Sequence, residues 1–82
     1  MNLTPISSPA QIAALIRMHR RHQGLTQAEL AARAGVGREW IIEVEKGKAT
    51  AELALVLKTL RVLNVSLRAE LPPEPPKPAG TP

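Results

Sequence analysis

Residues 26–47 read TQAELAARAGVGREWIIEVEKG, and their reading decides the fold. Thr26-Gln27-Ala28-Glu29 is a capping box: the Thr26 hydroxyl accepts an orphan backbone N–H of the first turn, and Glu29 reaches back to the N–H of Thr26. The helix it opens runs to about Ala34 and is rich in alanine, the strongest helix former. Gly35-Val36-Gly37 breaks it. A second short helix is expected from Arg38 to about Lys46, with Ile41 and Val44 on one side, and Gly47 ends it. Ala31 falls where the two helices cross, and its small side chain lets them approach. Gly35 opens the turn, because left-handed backbone costs little without a Cβ. Val36 plugs the turn into the core. The opposite face of the second helix, with Arg38, Glu39, Trp40, Ile42 and Glu43, is left free.

Two short helices joined by a tight glycine-containing turn form the helix-turn-helix pattern. The flanking segments supply the rest of a bundle. Ser7-Ser8-Pro9 reads as a helix start, since Ser8 can accept an early N–H and Pro9 suits the first helical position. Ile12, Leu15, Ile16 and His19 then recur at three- and four-residue spacing, with Arg17, Arg20 and Arg21 decorating the remainder. Gly24 stops this helix. Beyond Gly47, Thr50 is expected to cap a further helix, with Glu52 in its first turn. Leu53, Val56, Leu57, Leu60 and Leu63 form its apolar stripe. Asn64 ends it. Val65, Leu67, Ala69 and Leu71 then alternate with Ser66, Arg68 and Glu70, the period of two that marks a half-buried strand. A lone strand cannot satisfy its own backbone, so its expected partner is the same strand of a second copy. The alternative is an extended tail packed on the domain. From Pro72 onward the chain is proline-rich without a core-forming residue, and reads as a solvated tail. The expected organisation is a lead at 1–7, one domain at 8–71 and a tail at 72–82.

With 82 residues, the chain has room for one small domain. It contains a single Trp and neither Phe nor Tyr, so its core must be aliphatic. Dimerisation is the direct way to bury more apolar surface in a chain without cysteines. The absence of cysteine also removes disulfides and thiolate metal sites. His19 and His22 have the spacing of a metal pair, but no third ligand accompanies them, so neither metal nor cofactor is expected. The net charge is +4, and all seven acids are Glu. Such a balance suits a polyanionic partner without proving one. No Gly-rich phosphate loop and no Ser-His-acid set is present, so no catalytic residue is expected and the chain does not read as an enzyme. No signal peptide is visible, and an apolar run such as Leu53 to Leu57 is too short to cross a bilayer. A soluble cytoplasmic protein without membrane contact is the expectation.

The residues Gly24-Leu25-Thr26-Gln27-Ala28-Glu29-Leu30-Ala31, Ala34-Gly35-Val36-Gly37, Ile41 and Glu45-Lys46-Gly47-Lys48 resemble the Xre/Cro/C1-type helix-turn-helix family over about Ile12 to Leu63. The Ser-Pro-x-Gln opening, the spacing to Gly-x-Thr-Gln and a strand after the last helix are similar to HipB-type antitoxins. The resemblance implies a mainly α, lambda-repressor-like bundle of four to five helices, with a short C-terminal strand pairing across a dimer. It implies that Thr26 and Gln27 lie at the DNA, Gln27 donating to a phosphate. Arg38, Glu39 and Ile42 fall at the start of the recognition helix, facing base edges, and Gly37 before them is also expected at the DNA. Arg17 and Glu45 match a buried or half-buried ion pair that ties the first helix to the third. Val65, Leu67, Ala69 and Leu71 match the dimer strand. HipB-type proteins repress their own operon and partner with a HipA-type serine/threonine kinase toxin.

Several of these residues carry more than one reading. Arg38 is able to place its guanidinium on guanine O6 and N7, or to contact phosphate. Glu39 and Glu43 repel phosphates, yet a glutamate can accept from cytosine N4. Glu43 otherwise has a solvated or intrahelical partner. Ile42 can meet a thymine methyl. Trp40 either packs on the sugar-phosphate edge or covers the aliphatic core or a dimer seam. Lys46 and Lys48 follow the recognition helix and can reach phosphates. The favoured function is a sequence-specific repressor of double-stranded operator DNA, the antitoxin of a HipBA-type module. The alternatives are a stand-alone phage-like repressor, or a helix-turn-helix module whose acidic face binds protein instead.

Overall fold

The computed structural model describes residues 4–74, in which four helices follow one another. They are α1 (Pro9–His22), α2 (Gln27–Ala34), α3 (Arg38–Glu45) and α4 (Leu53–Val62). α1 starts as its sequence dictates: Ser8 is extended, its hydroxyl accepts from the Gln11 N–H at 3.2 Å, and Pro9 needs no partner at the first position. His19, Arg20, Arg21 and His22 fill its last turn, where positive charge suits the helix dipole. α2 has both halves of its capping box, each bond 3.0 Å long. These bonds hold the Glu29 carboxyl below its ordinary range, the backbone N–H of Thr26 contributing most.

The turn between α2 and α3 depends on Gly35, which is left-handed at φ 68°. The N–H groups of Gly35 and Val36 then close on the carbonyls of Ala32 and Ala31, satisfying the end of α2. A Cβ at Gly35 would stand 3.1 Å from the Lys58 ammonium, the free end of an exposed side chain that can give way, so the left-handed backbone is what excludes a side chain here. α3 starts at Gly37 without a side-chain cap.

The start of α4 departs from the sequence expectation. Its N-cap is Glu52 rather than Thr50, and no side chain caps it. Residues 49–50 form a turn that brings Ala51 against the core. The first helical bonds therefore run from Leu55 and Val56 to the Glu52 carbonyl.

Ile16 of α1, Leu30 of α2, Ile41 of α3 and Leu60 of α4 are fully buried, with Leu63 beside them. Ala31, Val44 and Val56 complete the centre of an aliphatic core, and Val36 and Trp40 pack on its edge. α3 packs on α1 and α2, and α4 closes against α2. The apolar stripe of α4 is narrower than the sequence suggested. Val56, Leu60 and Leu63 are buried, joined by Thr59, whose hydroxyl donates to the Leu55 carbonyl at 2.8 Å. Leu53 is 69% exposed and Leu57 41% exposed.

After α4 the chain turns at Asn64, which is left-handed at φ 59°. The N–H of Val65 then returns to the Leu60 carbonyl at 2.9 Å, and the Val65 side chain packs on the core. Among the described residues there is no strand, at 65–71 or elsewhere. A strand exists only as part of a ladder, and among the described residues no second segment pairs with this one. Leu67 and Leu71 are exposed. Of the N-terminal lead and the proline-rich tail, residues 1–3 and 75–82 lie outside the described residues. No described helix is long and apolar enough to cross a membrane.

Candidate nucleic-acid interface

A buried arginine fixes α3. The Arg20 Nε donates to Glu45 Oε2 at 2.7 Å, and Nη2 donates to Oε1 at 2.9 Å. The third arm, Nη1, donates to the Leu25 carbonyl at 2.9 Å. The two side chains are only 10% and 4% exposed. This bidentate geometry is the strong form of an arginine–carboxylate pair. The hydrogen bond to Glu45 raises the pKa of Arg20 above its ordinary value, against the opposing effect of burial.

Arg20, not Arg17, is therefore the ion-pair partner of Glu45. Arg17 serves the same junction differently, its Nη1 donating to the backbone carbonyl of Glu45 at 2.8 Å. The reason is helical register. Arg20 follows Ala13 and Ile16 on the buried stripe of α1, whereas Arg17 lies at its half-buried margin. From there Arg17 meets the orphan carbonyl at the end of α3. Together the arginines hold one end of α3 through both its side chain and its backbone.

The same carboxylate reaches α2. Gln27 Nε2 donates to Glu45 Oε1 at 3.3 Å, so Arg20 of α1 and the first residue of α2 share one acceptor oxygen on the last residue of α3. An amide carries two N–H donors, and this bond occupies one. A further long-range tie, from Gln23 Nε2 to the Leu63 carbonyl at 2.7 Å, joins the end of α1 to the end of α4. The sequence reading placed Arg20 with Arg17 and Arg21 on the remaining face of α1 rather than at Glu45, and it did not single out Gln23. Arg20 had a usable signal, its position on the Ala13–Ile16 stripe, but Gln23 had none.

With Ile41, Val44 and Glu45 turned inward, α3 has Arg38, Glu39 and Glu43 exposed. Ile42 is half-buried, and Trp40 lies partly buried against the aliphatic core. Thr26 and Gly37, at the starts of α2 and α3, are exposed. Lys46 and Lys48 are exposed just past α3. Lys48 is not free: its Nζ lies 2.8 Å from Glu43 Oε2. The hydrogen bond from Lys48, its charge and, to a smaller degree, the charge of Lys46 hold the Glu43 carboxyl below its ordinary range. Arg38 and Glu39 enter no ion pair among the described residues. His19 is half-buried and His22 exposed, and the described residues contain no cluster of three or more metal-ligating side chains.

Residues 11–72 match the sequence profile of a helix-turn-helix domain. The chain belongs to the helix-turn-helix family of transcriptional regulators. The regulator is 45% identical over 69 residues to the HTH-type transcriptional regulator y4mF of Sinorhizobium fredii, covering 84% of this chain and 91% of that protein. It is 31% identical over 67 residues to the antitoxin HipB of Escherichia coli K12, covering 82% of this chain and 76% of that one. The fold is that of HipB: against a HipB chain in the solved HipA–HipB–O2–O3 complex, the TM-score is 0.75 at 30% identity, over 82% of the regulator and 94% of that chain. The family is one of DNA-binding proteins rather than enzymes, and the four-helix arrangement of the regulator is the family's own.

Proposed function

We propose that this regulator is a homodimeric repressor that inserts α3 into the major groove of operator DNA. The observation that carries this reading is the clamp on α3. Arg17 and Arg20 fix its C-terminal end through Glu45, while Arg38, Glu39 and Glu43 stand exposed. A reading helix must be held rigidly, because base contacts depend on fixed geometry, while phosphate contacts supply register and orientation. In this reading Arg38 reads a base edge, and Glu39 and Ile42 contact neighbouring bases. Thr26 and Gly37 border the DNA at the two helix starts. Gln27 keeps one amide N–H on Glu45 and offers the other to a phosphate. Lys46 lies near the backbone, and half-buried Trp40 supports the helix from the core side.

The dimer rests on apolar surface outside the reading helices. Leu53, Leu57 and Leu67 border one groove together with Ile12, Val44 and Val56, and Leu71 is exposed nearby in sequence. A core without Phe or Tyr, with four large aliphatic side chains left in water, gains most by burying them against a second copy. The segment 65–71, unpaired in one chain, then finds its ladder in its counterpart. The domain boundaries follow: 8–71 folds and dimerises, flanked by the lead and the tail.

The likeness to HipB supports a finer reading, in which this chain is the antitoxin of a HipBA-type pair, represses its own operon and binds a HipA-type kinase toxin. The test is a reporter driven by the promoter of the chain's own gene. Repression by the wild-type chain, lost on Arg38→Ala, is expected together with co-purification of a kinase encoded beside it. An unrepressed promoter would refute autorepression. Repression without a neighbouring kinase would leave a stand-alone repressor.

A further inference from the structure

We propose that Glu43 restrains the electrostatic part of DNA binding by holding Lys48 back from phosphates, which lowers affinity for non-specific duplex. The inference rests on the reading of α3 as the recognition helix. Its basis is the folding-back of the chain after that helix. The Gly47 N–H closes on the Val44 carbonyl at 2.9 Å, and the Lys48 N–H returns to the Glu43 carbonyl at 3.2 Å. These bonds place Lys48 beside Glu43 by backbone geometry, and the side chains complete the contact at 2.8 Å. Both remain about half exposed, at 46% and 51%, so the pair sits at the surface where phosphates would pass.

The electrostatic consequence follows from counting cations. Arg38, Lys46 and Lys48 lie on or just after α3, and among them only Lys48 is in an ion pair among the described residues. Each cation that neutralises a phosphate releases counterions and adds about 0.9 to the slope of log K against log salt. A lysine already neutralised by its own carboxylate adds little. An exposed pair is worth at most about fivefold in an equilibrium constant, so Glu43 biases Lys48 rather than locking it. That bias acts on the phosphate-contact part of binding, which is almost the whole of the affinity for non-specific duplex.

The experiment is a titration of the full chain against a short mixed-sequence duplex, read by fluorescence anisotropy across a salt series. Wild type, Glu43→Gln, Lys48→Gln and the double variant are compared. Glu43→Gln should raise affinity up to about fivefold at low salt and steepen the slope by up to about 0.9. Lys48→Gln alone should cost clearly less than about 0.9 in slope, and in the Glu43→Gln background it should abolish the gain. An equal gain from Glu43→Gln with and without Lys48 would overturn the inference, because removal of bulk charge would then suffice. A full loss of about 0.9 on Lys48→Gln alone would overturn it too, since Lys48 would already be on phosphate. Either result leaves α3 as the reading helix. Failure of the wild-type chain to bind any duplex would overturn that reading and the inference together.

Discussion

Replacing Arg20 with methionine keeps an unbranched aliphatic stem and removes the guanidinium on which the junction of α1 and α3 depends. The Glu45 carboxylate, 4% exposed, would keep only the 3.3 Å bond from Gln27, and the Leu25 carbonyl would lose its donor. Breaking a buried pair from one side leaves an uncompensated charge and costs about 3–5 kcal/mol. Stability of about 0.05–0.15 kcal/mol per residue gives the described segment roughly 4–11 kcal/mol in total. The substitution therefore removes a large part of it. Urea unfolding followed by far-UV circular dichroism should show the midpoint falling by about 2 M or more, with a slope near 1–2 kcal/mol per M. Changing Glu45 to methionine as well should recover most of the loss, because a buried pair contributes little beyond well-packed apolar groups. Arg17→Met forfeits one hydrogen bond to a carbonyl and should cost only about 1–2 kcal/mol. A loss below about 1 kcal/mol for Arg20→Met, or a larger loss for Arg17→Met, would refute the assignment of Arg20 as the partner of Glu45.

Three further outcomes follow from the same geometry. Arg38→Ala should weaken operator binding by about 1–3 kcal/mol and relax preference at one base position, and a gel-shift series with unchanged base preference would remove Arg38 from the reading face. Deleting residues 65–71 should yield monomers by sedimentation velocity, and a truncated chain that still dimerises would show that 65–71 is not required for pairing. Thr26→Ala should cost about 1 kcal/mol and flatten the acid limb of the stability–pH curve. Glu29 has its pKa lowered in the fold, so its stabilisation is present above the ordinary glutamate range and is lost as pH falls through the folded value. An acid limb identical in the variant would argue against the capping box as its source.

The helix starts and the turn were legible in the sequence because they depend on neighbours a few residues away. The Ser8 cap, the Thr26–Glu29 box and the left-handed Gly35 all stand as local chemistry demands. Thr50 misled because a capping residue is only an opportunity. The turn at 49–50 and the packing of Ala51 moved the start of α4 to Glu52. The partner of Glu45 was harder to read, since Arg17 and Arg20 lie three residues apart on one helix. Only the rotation of α1 against α3 decides which arginine is buried. The burial of Arg20 beside Ile16 was foreshadowed by periodicity, but its charge made a surface position the natural reading. The pairing of Glu43 with Lys48 depends on how the loop after α3 curls, which no periodic pattern encodes. The segment 65–71 has a strand's alternation but no ladder among the described residues, because alternation marks a face and does not supply a partner strand.

The most direct test of the central claim is methylation interference at guanine N7 on the duplex upstream of the chain's own gene. A dimer that reads DNA through α3 should give two clusters of interfering major-groove guanines with centres about one helical turn apart, roughly 10 base pairs. Both clusters should weaken together when Arg38 is replaced by alanine. Binding that no guanine N7 methylation disturbs, or binding equally strong in low and high salt, would contradict the account.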